Sequence, residues 1–193
     1  MTTSFGPSAL ATPANAVTLA RVAFTPLLLA VIVSSGPSLA VLGAWILLSA
    51  TDGLDGYLAR RHGTTRSGAF LDPLADKLLV LGAMFALVAR GLFWWLPVAI
   101  IAVREVAMSG YRSWVGRQGV SVPARSSAKV KTVVQGVAVG LALLPVVAEH
   151  HLWIARAVLW VAVVLTVVSG LQYLLDGARA RAGASPEADS GAL

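Results

Sequence analysis

Apolar residues in this chain come in long blocks separated by short polar punctuation, not in the brief alternations of a water-soluble core. A helix that crosses a bilayer needs about 20 mostly apolar residues, and six such stretches are predicted. The first is Val17–Ser34, closed by the turn signal Ser34-Ser35-Gly36-Pro37. The second is Ser38–Arg61, ended by His62-Gly63, and the third is Ala69–Ala89, ended by Arg90-Gly91. The fourth, Phe93–Val115, opens on Trp94 and Trp95, the aromatic pair expected at a membrane interface. Ser127–Ala148 and Leu152–Leu175 complete the set. No Lys or Arg precedes the first stretch, so it is expected to be a retained helix and not a signal peptide. The expected organisation is a flexible N-terminus over 1–13, one six-helix domain over 14–178, and a disordered tail of Ala, Gly, Ser and acid over 179–193.

Composition agrees with that pattern. The 193 residues are 57% hydrophobic and 12% charged, about half the charge of a typical soluble domain. The expected class is therefore an all-α integral membrane protein. The absence of cysteine excludes disulfides, thiolate metal sites and cysteine nucleophiles. With only three histidines, two of them the adjacent His150 and His151, zinc is a poor fit as well.

The net charge of +6 points to lipid head groups and not to nucleic acid, because its distribution follows the predicted spans. One side receives Arg60, Arg61, Arg66, Arg112, Arg117, Arg125, Lys129, Lys131, Arg179 and Arg181, and the other only Arg90 and Arg156. The positive-inside rule then places both termini and both long polar connections in the cytoplasm.

The candidate chemistry lies in the acids. Four of the nine fall within 25 residues, Asp52, Asp55, Asp72 and Asp76, and the next is Glu105. Spacings of three and four put each pair on one face of its helix. The short connection makes the two helices antiparallel neighbours, so four carboxylates can converge near the cytoplasmic surface. Unneutralised, they would repel one another and resist burial, since an aspartate at bilayer centre costs about 2.5–3.5 kcal/mol on insertion scales. Divalent cations remove that cost, and an all-oxygen donor set suits Mg²⁺ or Mn²⁺. Three readings fit the spacing: metal-dependent phosphoryl transfer, an ion pathway in a transporter, or a structural cluster of solvated acids. Gly53, Gly56 and Gly68 punctuate the acids and allow close approach of a helix or a flat ligand, and Pro73 is expected in the first turn of the third helix.

The ordered pattern Asp52-x2-Asp55-Gly56-x2-Ala59-Arg60-x7-Gly68-x3-Asp72-x3-Asp76 resembles the signature of the CDP-alcohol phosphatidyltransferases. Seven residues follow Arg60 where many members have eight, within the loop. The likeness runs from about Asn15 to Tyr173. Further motifs are similar to members that use glycerol 3-phosphate: Asn15-x2-Thr18-Leu19-x-Arg21, Leu71-Asp72-Pro73-Leu74-Ala75-Asp76-Lys77, Arg104-Glu105, Ser109-Gly110-x-Arg112 and Lys129-x-Lys131-Thr132-x2-Gln135. Ala128 stands where a glycine is usual.

The resemblance implies a six-helix CDP-alcohol phosphotransferase-like bundle, commonly homodimeric, in the inner membrane with its active site facing the cytoplasm. It implies CDP-diacylglycerol as donor and two Mg²⁺ or Mn²⁺ ions held by Asp52, Asp55, Asp72 and Asp76, with Asp76 also the general base. It places CDP against Asn15, Thr18, Asp52, Asp55, Gly56, Ala59, Arg60 and Gly68. Inositol phosphate and phosphatidylglycerol are the alternative acceptors.

A glycerol 3-phosphate acceptor is a dianion and needs a basic pocket. Arg104 interrupts a long apolar run and is costly there without a partner. Adjacent helix residues do not face each other, so pairing with Glu105 is not the expected solution. Arg104, Arg112, Lys129 and Lys131 are the expected phosphate ligands, with Arg21 a further candidate.

Overall fold

The computed structural model describes the backbone of residues 13–62, 66–117 and 126–182, and the side chains of residues 16–51, 74–111, 114 and 130–175. Among the described residues all regular structure is helical: α1 Pro13–Ser35, α2 Leu39–His62, α3 Arg66–Ala89, α4 Trp95–Arg117, α5 Ser126–Leu143, α6 Pro145–His150 and α7 Leu152–Ala182. Six are long, and each overlaps one of the six predicted stretches, the fifth of which is divided between α5 and α6.

Local chemistry explains the boundaries. The Ser38 hydroxyl accepts the Val41 N–H at 3.2 Å, capping the N-terminus of α2. α1 ends at Gly36, which has φ +75° and donates its N–H to the Ile32 carbonyl. α3 ends in a Schellman turn: Gly91, at φ +73°, donates to Val88 O, and Leu92 donates to Leu87 O. The expected fifth span is broken within its last turns. Leu144 is extended (φ −74°, ψ 116°) before Pro145, because a proline ring disfavours the helical conformation in the residue ahead of it. Pro73 also differs from expectation: α3 begins at Arg66, so this proline lies about two turns inside the helix and not in its first turn. At the other end α7 runs to Ala182, past residue 178 where the domain boundary was drawn; residues 1–12 and 183–193 lie outside the described ones.

α3 is the central helix. It packs on α1, α4, α5 and α2, while α1 also lies along α2, and α5 along α7. Its buried positions Ala75, Leu79, Ala83 and Leu87 recur every four residues, a stripe that faces Ile32 of α1, Ile101 of α4 and Val139 of α5 in one core. Gly82 permits the close approach of α1, since a Cβ there would stand 2.6 Å from Leu29 Cδ1. Gly82→Val is therefore expected to destabilise the bundle by about 1–3 kcal/mol through overpacking. An unchanged melting temperature in detergent would show that Leu29 moves aside freely.

The outer surface is apolar. Leu27, Leu47, Val103 and Val164 are each more than half exposed, with many similar neighbours, a surface suited to lipid and not to water. Ala16–Ser35 and Leu152–Leu175 are each long and apolar enough to cross a membrane. Among the described residues, Leu39–Thr51 and Val130–Leu143 are further, shorter apolar stretches.

Arg90 and Arg156, the two cations expected on the opposite side from the others, have structural tasks. Arg90 donates to the Val33 carbonyl at 3.3 Å, satisfying the end of α1. Arg156 donates to Leu92 O at 2.8 Å and Gly91 O at 3.2 Å, and lies over the Trp94 ring. Arg90 thus answers a carbonyl in the last turn of α1, and Arg156 answers two carbonyls of the turn between α3 and α4.

Candidate active site

A cavity of about 640 Å³ opens between α2, α3 and α5. Asp76, Ser49 and Thr132 supply polar groups to its wall, and Trp45, Ile46, Leu79, Leu141 and Leu144 are among the apolar residues that line the rest. Asp76 is placed there because α3 turns its buried stripe inward, and position 76 adjoins Ala75 and precedes Leu79 by three. On α2, Trp45 and Ser49 lie along one helix face, and position 52 continues that face one turn further. Both aspartate pairs fall in helix, so the face-sharing expected from their spacing holds for the backbone. The side chains of Asp52, Asp55 and Asp72 lie outside the described ones.

A second cavity, of about 30 Å³, adjoins the first through Asp76 and Thr132. Lys77, Glu105 and Gln135 complete its polar wall. Around it runs a buried network that joins four helices. Glu105 Oε1 accepts from Arg104 Nη1 at 3.0 Å and from Lys131 Nζ. Arg104 Nη2 donates to Ser169 Oγ at 2.9 Å, and Ser169 Oγ donates to Thr166 O at 3.1 Å. Lys77 Nζ donates to Ser109 Oγ, which in turn donates to Glu105 O at 2.7 Å. Gln135 Nε2 donates to Thr166 Oγ1 at 3.1 Å. Gly170 makes the passage of Arg104 across α7 possible, because a Cβ there would lie 3.1 Å from Arg104 Nε.

Two of the expected acceptor ligands, Arg104 and Lys131, thus meet. Their meeting point corrects one expectation: Arg104 does pair with its neighbour Glu105. One guanidinium serves both partners, Nη1 on Glu105 and Nη2 on Ser169 of α7, because a carboxylate in an apolar bundle is costly unless paired. Arg21 has a different described partner. It is 1% exposed, lies on α1 among Thr18 and Thr25, and its Nε donates to Thr51 Oγ1 at 3.2 Å, one residue before Asp52. Thr18 is wholly buried on the same stripe. Arg112, Lys129, Asn15, Gly56, Ala59, Arg60 and Gly68 belong to helices, but their side chains lie outside the described ones.

Sequence reasoning did not single out Glu105, Lys77, Ser109, Thr166 or Ser169 as parts of a site. Thr166 and Ser169 carried a faint signal, as polar residues one turn apart in the apolar run of α7. Glu105 carried a clearer one, an acid in an apolar stretch beside an arginine.

The model of the CDP-alcohol phosphatidyltransferase family matches residues 11–168. A Mycobacterium tuberculosis protein named "Probable phosphatidylglycerophosphate synthase" is 39% identical over 181 residues, covering 90% of this chain and 85% of its own. Two proteins named CDP-diacylglycerol–glycerol-3-phosphate 3-phosphatidyltransferase are also similar. The one from Rickettsia bellii is 34% identical over 82% of this chain and 91% of its own. The one from Yersinia enterocolitica is 42% identical over 67% and 74%. With the ordered aspartates on α2 and α3 and a family match over most of its length, this chain belongs to the CDP-alcohol phosphatidyltransferase family.

Proposed function

We propose that this protein transfers the phosphatidyl group of CDP-diacylglycerol to glycerol 3-phosphate, giving phosphatidylglycerophosphate and CMP. The observation that carries this reading is the two-natured cavity: a carboxylate-bearing wall at Asp76, continuous with a long apolar groove. A lipid nucleotide needs both, a polar station for its diphosphate and an apolar one for its acyl chains. The basic network beside Asp76 supplies what a phosphorylated acceptor needs.

Asp52, Asp55, Asp72 and Asp76 would hold two Mg²⁺ or Mn²⁺ ions, which suit an all-oxygen donor set. The chemistry those cations supply when bound is neutralisation of charge on the diphosphate and on the departing CMP. CDP lies against Asn15, Thr18, Gly56, Ala59, Arg60 and Gly68. Arg104 and Lys131, with Arg112 and Lys129, hold the acceptor's phosphate and orient its hydroxyl. Asp76 takes the hydroxyl proton as oxygen attacks the phosphorus that carries diacylglycerol. Arg21, hydrogen-bonded to Thr51 one residue before Asp52, is a further candidate for the acceptor's phosphate.

The six long helices are read as six membrane crossings, with termini and active site on the cytoplasmic side of the inner membrane. Aromatic residues mark both ends. Trp95 and Trp114 of α4 are about 28 Å apart at 1.5 Å per residue, and Trp153 and Tyr173 of α7 about 30 Å. Both spans match a hydrocarbon core of roughly 30 Å. Family resemblance extends the proposal to a homodimer.

The test is CMP release by purified protein given CDP-diacylglycerol and Mg²⁺ or Mn²⁺, with glycerol 3-phosphate, inositol phosphate and phosphatidylglycerol offered separately. Release is expected with glycerol 3-phosphate, abolished by chelation and restored by the metal. Preference for another acceptor would move the protein elsewhere in its family; no release with any of them would refute the activity.

A further inference from the structure

Phosphatidyl transfer as proposed uses Arg104 and Lys131 but assigns nothing to the acid between them. Glu105 is 9% exposed on α4, in a helix whose flanking residues Val103 and Val106 face outward. A carboxylate so placed is costly unless it is paired and hydrogen-bonded. It is paired twice through the same oxygen, to Arg104 of its own helix and Lys131 of α5. Its backbone carbonyl collects the α3 side as well, through Ser109 and Lys77. One turn of α4 thereby gathers cations from three helices: Lys77 lines the small cavity together with Glu105 and Asp76, and Arg104 and Lys131 join it through the Glu105 carboxylate.

Charge and entropy give this gathering a purpose. Arg104 and Lys131 against the one carboxylate they share leave a net positive charge. A phosphomonoester dianion is the kind of ligand such a charge draws. Long cationic side chains lose conformational freedom when they grip a ligand, so fixing them beforehand strengthens binding. We propose that Glu105 is a positioning residue: its carboxylate, near Asp76 on the wall of the small cavity, holds Lys131 and Arg104 in place to receive the acceptor's phosphomonoester. This rests on the phosphatidyl-transfer reading and adds the residue that organises its acceptor subsite.

The experiment is steady-state CMP release with acceptor and donor varied independently. Glu105→Gln keeps the side chain's volume and removes its charge. It is expected to raise the KM for glycerol 3-phosphate at least tenfold while the KM for CDP-diacylglycerol stays within twofold. Glu105→Asp, which keeps the charge, should recover part of the loss. An acceptor KM within twofold of wild type in Glu105→Gln overturns the proposal, and so does a parallel rise in both KM values, which would mark general disruption.

Because Glu105 acts through its partners, its effect must also depend on them. The factor that Glu105→Gln imposes on the acceptor KM should shrink at least threefold in a Lys131→Gln background, a double variant in which one charge of each sign is removed. Equal factors in both backgrounds overturn the positioning role. Should Glu105→Gln fail to fold, Ser169→Ala replaces it, since it releases Arg104 Nη2 without altering any charge. A several-fold rise in acceptor KM alone is then expected, and no change overturns the proposal. Absence of CMP release from wild-type protein would defeat the transferase reading itself; normal release with indifferent Glu105 variants defeats only the positioning role.

Discussion

Asp76→Asn is expected to lower kcat by about 10²–10⁴-fold, the range contributed by a positioned general base, while CDP-diacylglycerol binding is largely retained. Asparagine fills the same volume at the wall shared by both cavities, so substrate still fits. What is lost is the carboxylate that accepts the hydroxyl proton and completes the proposed metal set. The checking measurements are CMP release under saturating substrates and direct binding of the lipid nucleotide to the purified variant. Turnover near that of wild type would remove Asp76 from the role of base. Loss of donor binding together with turnover would make it a metal ligand alone.

Lys131→Ala is expected to raise the KM for glycerol 3-phosphate by about 10- to 100-fold, from loss of a charge-assisted hydrogen bond of roughly 1.5–3 kcal/mol. The side chain is 6% exposed and ends on Glu105. Its removal leaves that carboxylate with Arg104 alone, and breaking one half of a buried pair also costs about 3–5 kcal/mol of stability. Reduced yield or melting temperature should accompany the kinetic change. The concentration of Mg²⁺ or Mn²⁺ needed for half-maximal rate should not move. An unchanged acceptor KM would make Lys131 a topological anchor, one of the cations that the positive-inside rule accounts for without chemistry.

Much of the architecture was legible because its causes are local. Apolar run length marked the six long helices, and glycine, proline and serine marked their ends, as the Schellman turn at Gly91 and the cap at Ser38 bear out. Prolines misled in opposite directions. Pro145 ended a helix that its apolar surroundings seemed to continue, and Pro73 was absorbed into α3 beyond its first turn. The restriction a proline places on the residue ahead of it shows at Leu144, which is extended, whereas α3 runs helically through Pro73.

The site divides in the same way. The order and spacing of Asp52, Asp55, Asp72 and Asp76 are properties of the chain, and helical periodicity alone turns each pair to one face, so the family was readable before any fold was known. Which side chains meet across helices was not. Nothing in the order of residues says that Arg21 stays with Thr51 on α2 while Arg104 and Lys131 come together on Glu105. Sequence by itself determined the helices, their ends and the family's acids, because those follow from interactions within a few residues. Only the tertiary structure decided which buried cations share a carboxylate, because a charge in an apolar interior takes the partner that helix packing brings within reach.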